Sequence, residues 1–333
     1  MTEGQSVNTI GLVAIGRNEG DRLVDCIQSC KDSVGQVVYV DTCSTDDSAD
    51  KAKDLGAVVL ELDMSLPFTA ARSRNTGMRW LLENMTNIRY IQFVDGDCAI
   101  DADWLEVAKE FLEQNPEYAV VCGRRKERYP EKTIYNKLCD IEWNSPIGDA
   151  KNCGGDALYR VSALTEVDGF NETLIAGEEP DLCFRMRTNG WKVYRYDAPM
   201  TYHDADMTRF SQWWKRTVRS GHGYAEGMYM HGRSPERYNV RDSFRIWLWA
   251  VAVPVFILGV SWAVSWWLLL LWLAYPLQTF KIARYQRKRG YSWRDALLYG
   301  FFIMLGKFPQ LLGQLKFFWG VLTGKRTKLI EYK

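Results

Sequence analysis

The stretch Tyr90-Ile91-Gln92-Phe93-Val94-Asp95-Gly96-Asp97 is the clearest pointer to the fold. It is a mainly apolar, β-favouring run that ends abruptly at two carboxylates one residue apart. Apolar runs of this length are typical of strands buried in a parallel sheet. Two carboxylates at positions i and i+2 can share one hard divalent cation, which makes Asp95 and Asp97 a candidate metal site. Taken alone, the same Asp-Gly-Asp sequence fits an acidic turn equally well.

Outward from this run, short β-rich segments alternate with segments of helical length. The β-rich runs are residues 10–15, 37–40, 57–60 and 90–94, and the helical segments lie around 23–31, 47–55 and 70–84. A strand followed by a helix, repeated along the chain, predicts an α/β fold with a mostly parallel sheet flanked by helices. A helix at 101–114 and a strand at 119–122 follow before the regular pattern ends.

Polar residues directly follow three of these strands, at Arg17–Glu19, Asp41–Asp46 and Asp95–Asp97. The carboxyl ends of parallel strands meet at one edge of a sheet, and open α/β sheets bind their ligands beyond that edge. The sequence therefore predicts a polar, mostly acidic ligand site there.

The charge of the chain is divided between two regions. The 333 residues carry 42 Lys+Arg and 41 Asp+Glu, a formal net charge of +1. Residues 241–333 hold 14 of the basic and 3 of the acidic side chains, so the preceding 240 residues hold 28 and 38. Because the basic region is also the apolar one, it indicates a membrane surface rather than nucleic acid. We expect a globular domain over 1–240 and a membrane-anchoring helical region over 241–333.

Residues 246–280 form a run of 35 residues without a charged side chain. One helix of that length would be about 52 Å long against a hydrocarbon thickness of about 30 Å, so we expect a hairpin of two helices joined near Gly259–Ser261. Basic residues flank the run on both sides, which places both flanks and the N-terminal domain in the cytoplasm. A re-entrant hairpin and a buried helical pair in a soluble domain are the alternatives. Two lysines and a proline interrupt the apolar segment 296–322, which predicts a helix in the membrane interface.

Six sequence blocks follow one another between residues 9 and 222. They are Val13–Glu19, Val40–Ser48, Ala71–Gly77, Asp95–Asp97, the glycine-rich Gly154–Arg160 with Val167–Glu172, and Gly177–Arg185. In this order they resemble the motifs of family 2 glycosyltransferases of the GT-A fold, in a membrane-anchored member of bacterial type. The resemblance implies a nucleotide-sugar-binding domain and transfer of a sugar with inversion at the anomeric carbon.

The residues that the resemblance assigns to the donor lie in these blocks. They are Arg17, Glu19, Asp41, Arg74, Asp95, Gly155 and Asp156. Glu19 and Asp41 would contact the nucleoside, and Arg17 stands where the family often has tyrosine. Asp97, helped by Asp95, would hold Mg²⁺ or Mn²⁺ against the diphosphate, because a nucleoside diphosphate leaves poorly until its charge is neutralised. His203 is either a third metal ligand or a structural histidine.

An inverting transfer needs a carboxylate that accepts the proton of the acceptor hydroxyl. The resemblance implies that Glu179 is this base, with Glu178 and Asp181 as neighbours, although the family's usual Glu-Asp pair reads Glu-Glu here. An acidic first helical turn around Pro180 is the structural alternative, and the two roles are compatible.

Arg216 and Arg219 share a helix face in a partial match to the Gln-x-x-Arg-Trp motif of processive members. They are candidates to bind the donor diphosphate, and lipid headgroups are the alternative ligand.

Together these features predict a metal-dependent glycosyltransferase in the cytoplasmic membrane, with its catalytic domain facing the cytoplasm. Its expected partners are a nucleotide-diphosphate sugar, a lipid-linked or membrane-bound acceptor and the bilayer, without nucleic acid, and a homo-oligomer is left open. Surface polysaccharide or glycolipid synthesis is the expected setting. A processive synthase, a nucleotidyltransferase and a non-catalytic membrane scaffold are the rivals.

Overall fold

The computed structural model describes residues 9–325. The strands are β1 (Ile10–Gly16), β2 (Gln36–Asp41), β3 (Val58–Glu61), β4 (Tyr90–Asp95), β5 (Cys98–Ile100), β6 (Tyr118–Glu127), β7 (Gly148–Asp149), β8 (Ala157–Arg160) and β9 (Lys192–His203). The α-helices are α1 (Asp21–Gln28), α2 (Ser48–Asp54), α3 (Ala70–Asn84), α4 (Trp104–Gln114), α5 (Ile134–Trp143), α6 (Val161–Glu166), α7 (Glu178–Thr188), α8 (Phe210–His231), α9 (Val240–Trp247), α10 (Val253–Ala263), α11 (Ala274–Lys288), α12 (Trp293–Leu305) and α13 (Lys307–Thr323). The predicted strands and helices of the first 122 residues are therefore all found, within a few residues of their expected bounds.

The first half of the sheet is parallel, as the alternation of strands and helices predicted. β1 lies between β2 and β4, and β2 also pairs with β3, all in parallel. The register places Gly16 beside Asp41 and Ile15 beside Asp95. The carboxyl ends of β1, β2 and β4 therefore share one edge, which brings the three predicted polar clusters together.

The second half of the sheet departs from the prediction of a mostly parallel sheet. Within the described residues the strand order is β3-β2-β1-β4-β8-β6-β9-β5, with β7 on β9. β8 is antiparallel to β4 and β6, and β5 and β7 are antiparallel to β9, whereas β6 and β9 are parallel. The α/β class is confirmed, but the sheet is mixed, because strands and helices stop alternating after β4 and antiparallel neighbours no longer need a helical crossover.

Residue contacts divide the chain into two compact units. The first comprises the described residues up to Tyr129 together with Glu142–Ala205, and the second comprises Pro130–Ile141 with the described residues from Asp206 onward. The first unit contains the whole sheet, and α8–α13 belong to the second. By contacts, α8 thus groups with the helical region, although the charge pattern predicted a boundary at 240.

The second unit contains two helical stretches that are long and apolar enough to cross a membrane, Val240–Ala263 and Trp293–Thr323. The expected joint at Gly259–Ser261 is wrong, since the helix runs on to Ala263 and the chain turns at residues 264 and 265. A glycine and a serine within an apolar run do not stop a helix, because the intrahelical hydrogen bonds continue through them. Beyond the turn, Trp266–Leu273 forms a 3₁₀-helix before α11 begins.

In the first unit, α3 packs closely on the sheet at Gly77. A Cβ atom added to Gly77 would lie 2.5 Å from Val13 Cγ1 and 3.2 Å from Val40 Cγ2. Both valines are fully buried in the centre of the sheet. The absence of a side chain at Gly77 therefore sets how near α3, which carries Arg74, lies to β1 and β2.

We predict that Gly77→Ala lowers the apparent melting temperature, because the added methyl group overpacks the contact with Val13 at a cost of about 1–3 kcal/mol. Gly259→Ala is the matched helical control, since nothing lies within 4 Å of its added Cβ. That control should be neutral or slightly stabilising, as alanine favours helix. Thermal unfolding of both purified variants is the measurement, and equal effects of the two substitutions would contradict the packing argument.

Candidate active site

The loops after β1 and β2 are joined by side-chain hydrogen bonds to their backbones. Asp41, at the end of β2 and 4% exposed, accepts hydrogen bonds from the Ser44 backbone N–H at 2.9 Å and from Tyr39 Oη at 3.0 Å. Asn18 Oδ1 accepts the Thr45 N–H at 2.7 Å, and Ser44 Oγ accepts the Asn18 N–H at 2.9 Å. These bonds fix the shape of the sheet edge where the nucleoside was predicted to bind.

The other two residues predicted for the nucleoside lie on the β1 loop. Arg17 is exposed, and the Glu19 carboxylate forms an ion pair with Arg22 on α1 at 2.7 Å. Their predicted contacts with a donor stay predictions.

Arg74 is the centre of a buried charge cluster. Its guanidinium, on a side chain that is 3% exposed, lies 2.9 Å from Asp95 Oδ1, 3.0 Å from Glu178 Oε1 and 3.2 Å from Glu179 Oε1. Asp95 ends β4, whereas the two glutamates begin α7, so one cation connects two elements that are distant in sequence. The family resemblance assigned Arg74 to the donor and gave no indication of this connection.

A second arginine, Arg125 on β6, was missed altogether. Its Nη2 lies 2.8 Å from Asp156 Oδ1 and 3.4 Å from Asp95 Oδ2, and its guanidinium lies 5.5 Å from the centre of the Trp143 ring. Asp156 is fully buried and also accepts a hydrogen bond from Thr201 Oγ1 at 2.7 Å. The sequence signal that could have identified Arg125 is the pair Arg124–Arg125, which directly follows the buried, apolar part of β6.

Gly155 lies against this cluster. A Cβ atom there would lie 2.8 Å from Arg74 Nη2 and 3.1 Å from both Asp95 Oδ2 and Glu179 Oε1. Only glycine lets the chain between Cys153 and Asp156 pass this close to the charged groups.

Asp97 and His203 lie together at the sheet edge as a candidate pair of metal ligands. Asp97 Oδ1 lies 3.3 Å from His203 Nε2, and both side chains are under a tenth exposed. Their ligand atoms lie within 4.8 Å of the Cys98 sulfur. A carboxylate oxygen and an imidazole nitrogen at this spacing fit a divalent cation such as Mn²⁺. Asp95, by contrast, directs its oxygens to Arg74 and Arg125, so its predicted metal role stays a prediction.

Glu178, Glu179 and Asp181 all lie in the first turn of α7, as the alternative of an acidic helix start predicted. Asp181 Oδ2 accepts a hydrogen bond from Arg185 Nε of the same helix at 2.8 Å. Glu179 faces Arg74. Burial first, and then the neighbouring Glu178 carboxylate, raises the pKa of Glu179 from 4.5 to about 7, although Arg74 opposes the shift.

Comparison with known proteins identifies a family to which the first part of this chain is similar. The model of the family described as glycosyl transferase family 2 matches residues 13–165, just under half of the chain. The match runs from Val13 in β1 to Thr165 in α6, and it includes the strand-end clusters, Arg74 and Asp156.

Residues 13–165 match a family 2 glycosyltransferase domain.

Two sequence relatives and one solved structure are similar to parts of this chain. A TPR repeat-containing protein from Synechococcus elongatus is 27% identical over 43% of this chain and 34% of its own length. A probable glucomannan 4-beta-mannosyltransferase from Arabidopsis thaliana is 27% identical over 31% of this chain and 26% of its own. The chain thus matches only about a third or less of either relative.

The solved structure is a mannosyltransferase from Pyrobaculum calidifontis in complex with GDP-Man and Mn²⁺. It superimposes with a TM-score of 0.61 at 16% identity, over 93% of this chain and 87% of its own. At this identity the likeness shows a shared fold.

The glycosyltransferase domain thus brings Asp95, Arg74, Gly155, Asp156 and the two glutamates of α7 into one cluster. Asp97 and His203 form the adjacent pair. Arg216 and Arg219 lie on α8 in the second unit, and their predicted contact with a diphosphate stays a prediction.

We predict that Arg74→Gln lowers the free energy of unfolding by about 3–5 kcal/mol, because it leaves buried carboxylates without their cation. Arg79→Gln is the matched control on the same helix, since Arg79 is 56% exposed and pairs with Glu172 at the surface. The control should change stability by less than about 0.5 kcal/mol. Denaturant unfolding of the two variants is the measurement, and a small effect at Arg74 would show that the cluster does not depend on it.

Proposed function

We propose that the protein is an inverting, divalent-metal-dependent glycosyltransferase that moves a sugar from a nucleotide-sugar donor to a membrane-associated acceptor. The observation that carries the proposal is the Arg74 cluster. Asp95 at the end of β4 and Glu179 on α7 both lie within 3.2 Å of Arg74 Nη2, so one guanidinium joins the strand end to the start of the helix. A strand-end carboxylate of this kind suits the donor side of a GT-A site, and a carboxylate with a raised pKa suits the acceptor side.

On the donor side, Asp97 and His203 would hold the cation. When bound there, a divalent cation would neutralise the negative charge that develops on the departing nucleoside diphosphate. Asp41 and the loop that it organises would bind the nucleoside, while Glu19 and Arg17 lie on the neighbouring β1 loop. The mannosyltransferase of the same fold was solved with GDP-Man and Mn²⁺, and the plant relative is named for mannosyl transfer, so GDP-mannose is the first donor to test.

On the acceptor side, Glu179 would accept the proton of the attacking hydroxyl. Its side chain is 15% exposed, so an acceptor can reach it, while Glu178 is 6% exposed and remains bound to Arg74. A carboxylate with a pKa of about 7 binds a proton more strongly than an ordinary glutamate and is still ionised in part at neutral pH. Arg74 orients this carboxylate, and Asp181, held by Arg185, fixes the helix turn beneath it.

The acceptor is proposed to be lipid-linked, and the catalytic domain to face the cytoplasm. The support is the second unit, whose apolar helical stretches expose large side chains, with Trp262 84%, Trp267 81% and Leu322 81% exposed. Exposed apolar surface of this extent needs a membrane or a partner. The basic residues that flank 246–280 favour the cytoplasmic face. A domain anchored in this way would act on substrates held at the same membrane.

We predict that Asp97→Asn abolishes metal-dependent transfer while the protein still folds, since the amide is nearly isosteric but lacks the charge that binds the cation. Release of nucleoside diphosphate with Mn²⁺ is the assay, and thermal unfolding is the control for folding. Asp103→Asn, at an exposed turn beyond β5, is the matched substitution and should retain activity. Full activity of Asp97→Asn would overturn the metal assignment.

For Glu179→Gln we expect donor binding to survive and transfer to fail, because the amide cannot accept the hydroxyl proton. Stabilisation of the variant by a nucleotide sugar and Mn²⁺ measures binding, and single-turnover transfer measures chemistry. If transfer persists, the base would be Glu178 or Asp181. Loss of transfer in Glu178→Gln or in Asp181→Asn would then identify which of the two it is.

The rate of transfer should also depend on pH through Glu179. Since a base acts only when ionised, we expect the single-turnover rate to rise with pH along a limb whose apparent pKa is about 7 and then to level off. The same shift lowers the stability of the fold as pH rises from 4.5 to about 7, because the folded state binds this proton more tightly than the unfolded chain. A rate that is unchanged from one unit below to one unit above this pKa would contradict the assignment.

A further inference from the structure

Glu127 is a buried glutamate that neither the sequence motifs nor the proposed chemistry uses. It is the last residue of β6, only 4% of the residue is exposed, and none of its side chain is. The sheet register places it directly beside His203 at the end of β9. On the other side of β9, the register places Cys98 beside His203, next in the chain to Asp97. Side chains of paired residues on neighbouring strands share a sheet face, so Glu127, His203 and the Asp97 region meet there.

The two oxygens of Glu127 have fixed positions. Oε1 accepts the backbone N–H of Tyr129 at 3.0 Å, and Oε2 accepts that of Ala205 at 3.0 Å. The chain segments that follow β6 and β9 are therefore tied to this one carboxylate. Because two backbone N–H groups hold the Glu127 carboxylate, its rotation is restricted and its position relative to neighbouring side chains is fixed.

His203 lies between Glu127 and Asp97. Its Nε2 is 3.3 Å from Asp97 Oδ1, and its Nδ1 is 4.0 Å from Glu127 Oε2. Nδ1 is buried and has no hydrogen-bond partner among residues 9–325. The Trp143 ring packs edge-on against the imidazole at 4.8 Å between ring centres, which limits the ways in which the imidazole can rotate. A buried nitrogen without a hydrogen bond is costly, and Glu127 is the carboxylate that faces it.

We propose that Glu127 is a positioning residue that sets the tautomer and orientation of His203, so that Nε2 is free to bind the cation together with Asp97. This inference rests on the proposed metal site. A metal-binding histidine needs a lone pair on the ligating nitrogen and a proton on the other, and a carboxylate that accepts that proton fixes both. The 4.0 Å separation exceeds a hydrogen bond by about 1 Å, so a small movement of the imidazole completes the contact.

A purely structural role for Glu127, as a tie between the two chain segments, is the competing explanation. That role predicts that loss of the carboxylate acts on the fold whether or not His203 is present. The positioning role predicts that the effect on metal binding requires His203. A double-mutant cycle separates the two, because only residues that act through each other give non-additive effects.

The test measures Mn²⁺ binding to the full chain, with MnCl₂ as the only added ligand. Electron paramagnetic resonance detects the ion that remains free in solution. The proteins are the wild type, Glu127→Gln, His203→Ala, the double variant and the control Glu166→Gln. Glu166 is an exposed carboxylate that also accepts two hydrogen bonds, from Asn189 at 3.0 Å and Trp191 at 2.7 Å. We expect Glu127→Gln to raise the Kd about tenfold in the wild-type background and less than about twofold in the His203→Ala background. Glu166→Gln should leave the Kd unchanged.

Two results would overturn the proposal, namely an unchanged Kd in Glu127→Gln or an equal rise in both backgrounds. Absence of Mn²⁺ binding by the wild type would instead remove the proposed metal site, and this inference with it. In case Glu127→Gln does not fold, ¹⁵N-histidine spectra of the wild type with diamagnetic Zn²⁺ give an independent measurement. The chain has only three histidines, so His203→Ala identifies the signal. We expect a proton on Nδ1 and the metal on Nε2, and the opposite arrangement would contradict the proposal.

Discussion

The buried guanidinium of Arg74 is the interaction on which the rest of the site depends. Asp95, Glu178 and Glu179 lie within 3.2 Å of its nitrogens, and such carboxylates would repel one another strongly if no cation lay between them. Arg74 can occupy this position because α3 packs closely on the sheet at Gly77. Packing of an uncharged helix face thus determines where the charged groups of the site can meet.

A second set of charges follows from the late strands of the sheet. β6 carries Arg125 and Glu127, and β9 carries His203, so the parallel pairing of these two strands delivers a cation, an anion and an imidazole to the same edge. Arg125 balances the fully buried Asp156, while Glu127 and Asp97 lie on either side of His203. The two arginines share Asp95 between them, which joins both sets into one network. Substitution of any one member is therefore expected to disturb several others.

The sequence alone predicted those strands and strand-end acids that are specified by a local pattern of residues. The apolar runs of β1, β2 and β4, and the acids that follow them, are visible without tertiary information because each strand carries its own periodicity. The roles of Arg74, Arg125 and Glu127 were not visible, because the partners of each lie far away in sequence. For Arg125 and Glu127, in addition, a charged residue on a strand is usually solvated. The antiparallel strands and the turn at residues 264 and 265 were missed for a related reason, since pairing direction and helix length are decided by packing rather than composition.

The central claim is that this domain transfers a sugar from a nucleotide sugar with the help of a divalent cation. The most direct test is to incubate the wild-type protein in membranes with a panel of nucleotide sugars, GDP-mannose first, and to identify the nucleotide released with Mn²⁺ and with EDTA. The account predicts release of nucleoside diphosphate that depends on Mn²⁺, with one donor preferred. Release of pyrophosphate, or equal turnover in EDTA, would contradict it.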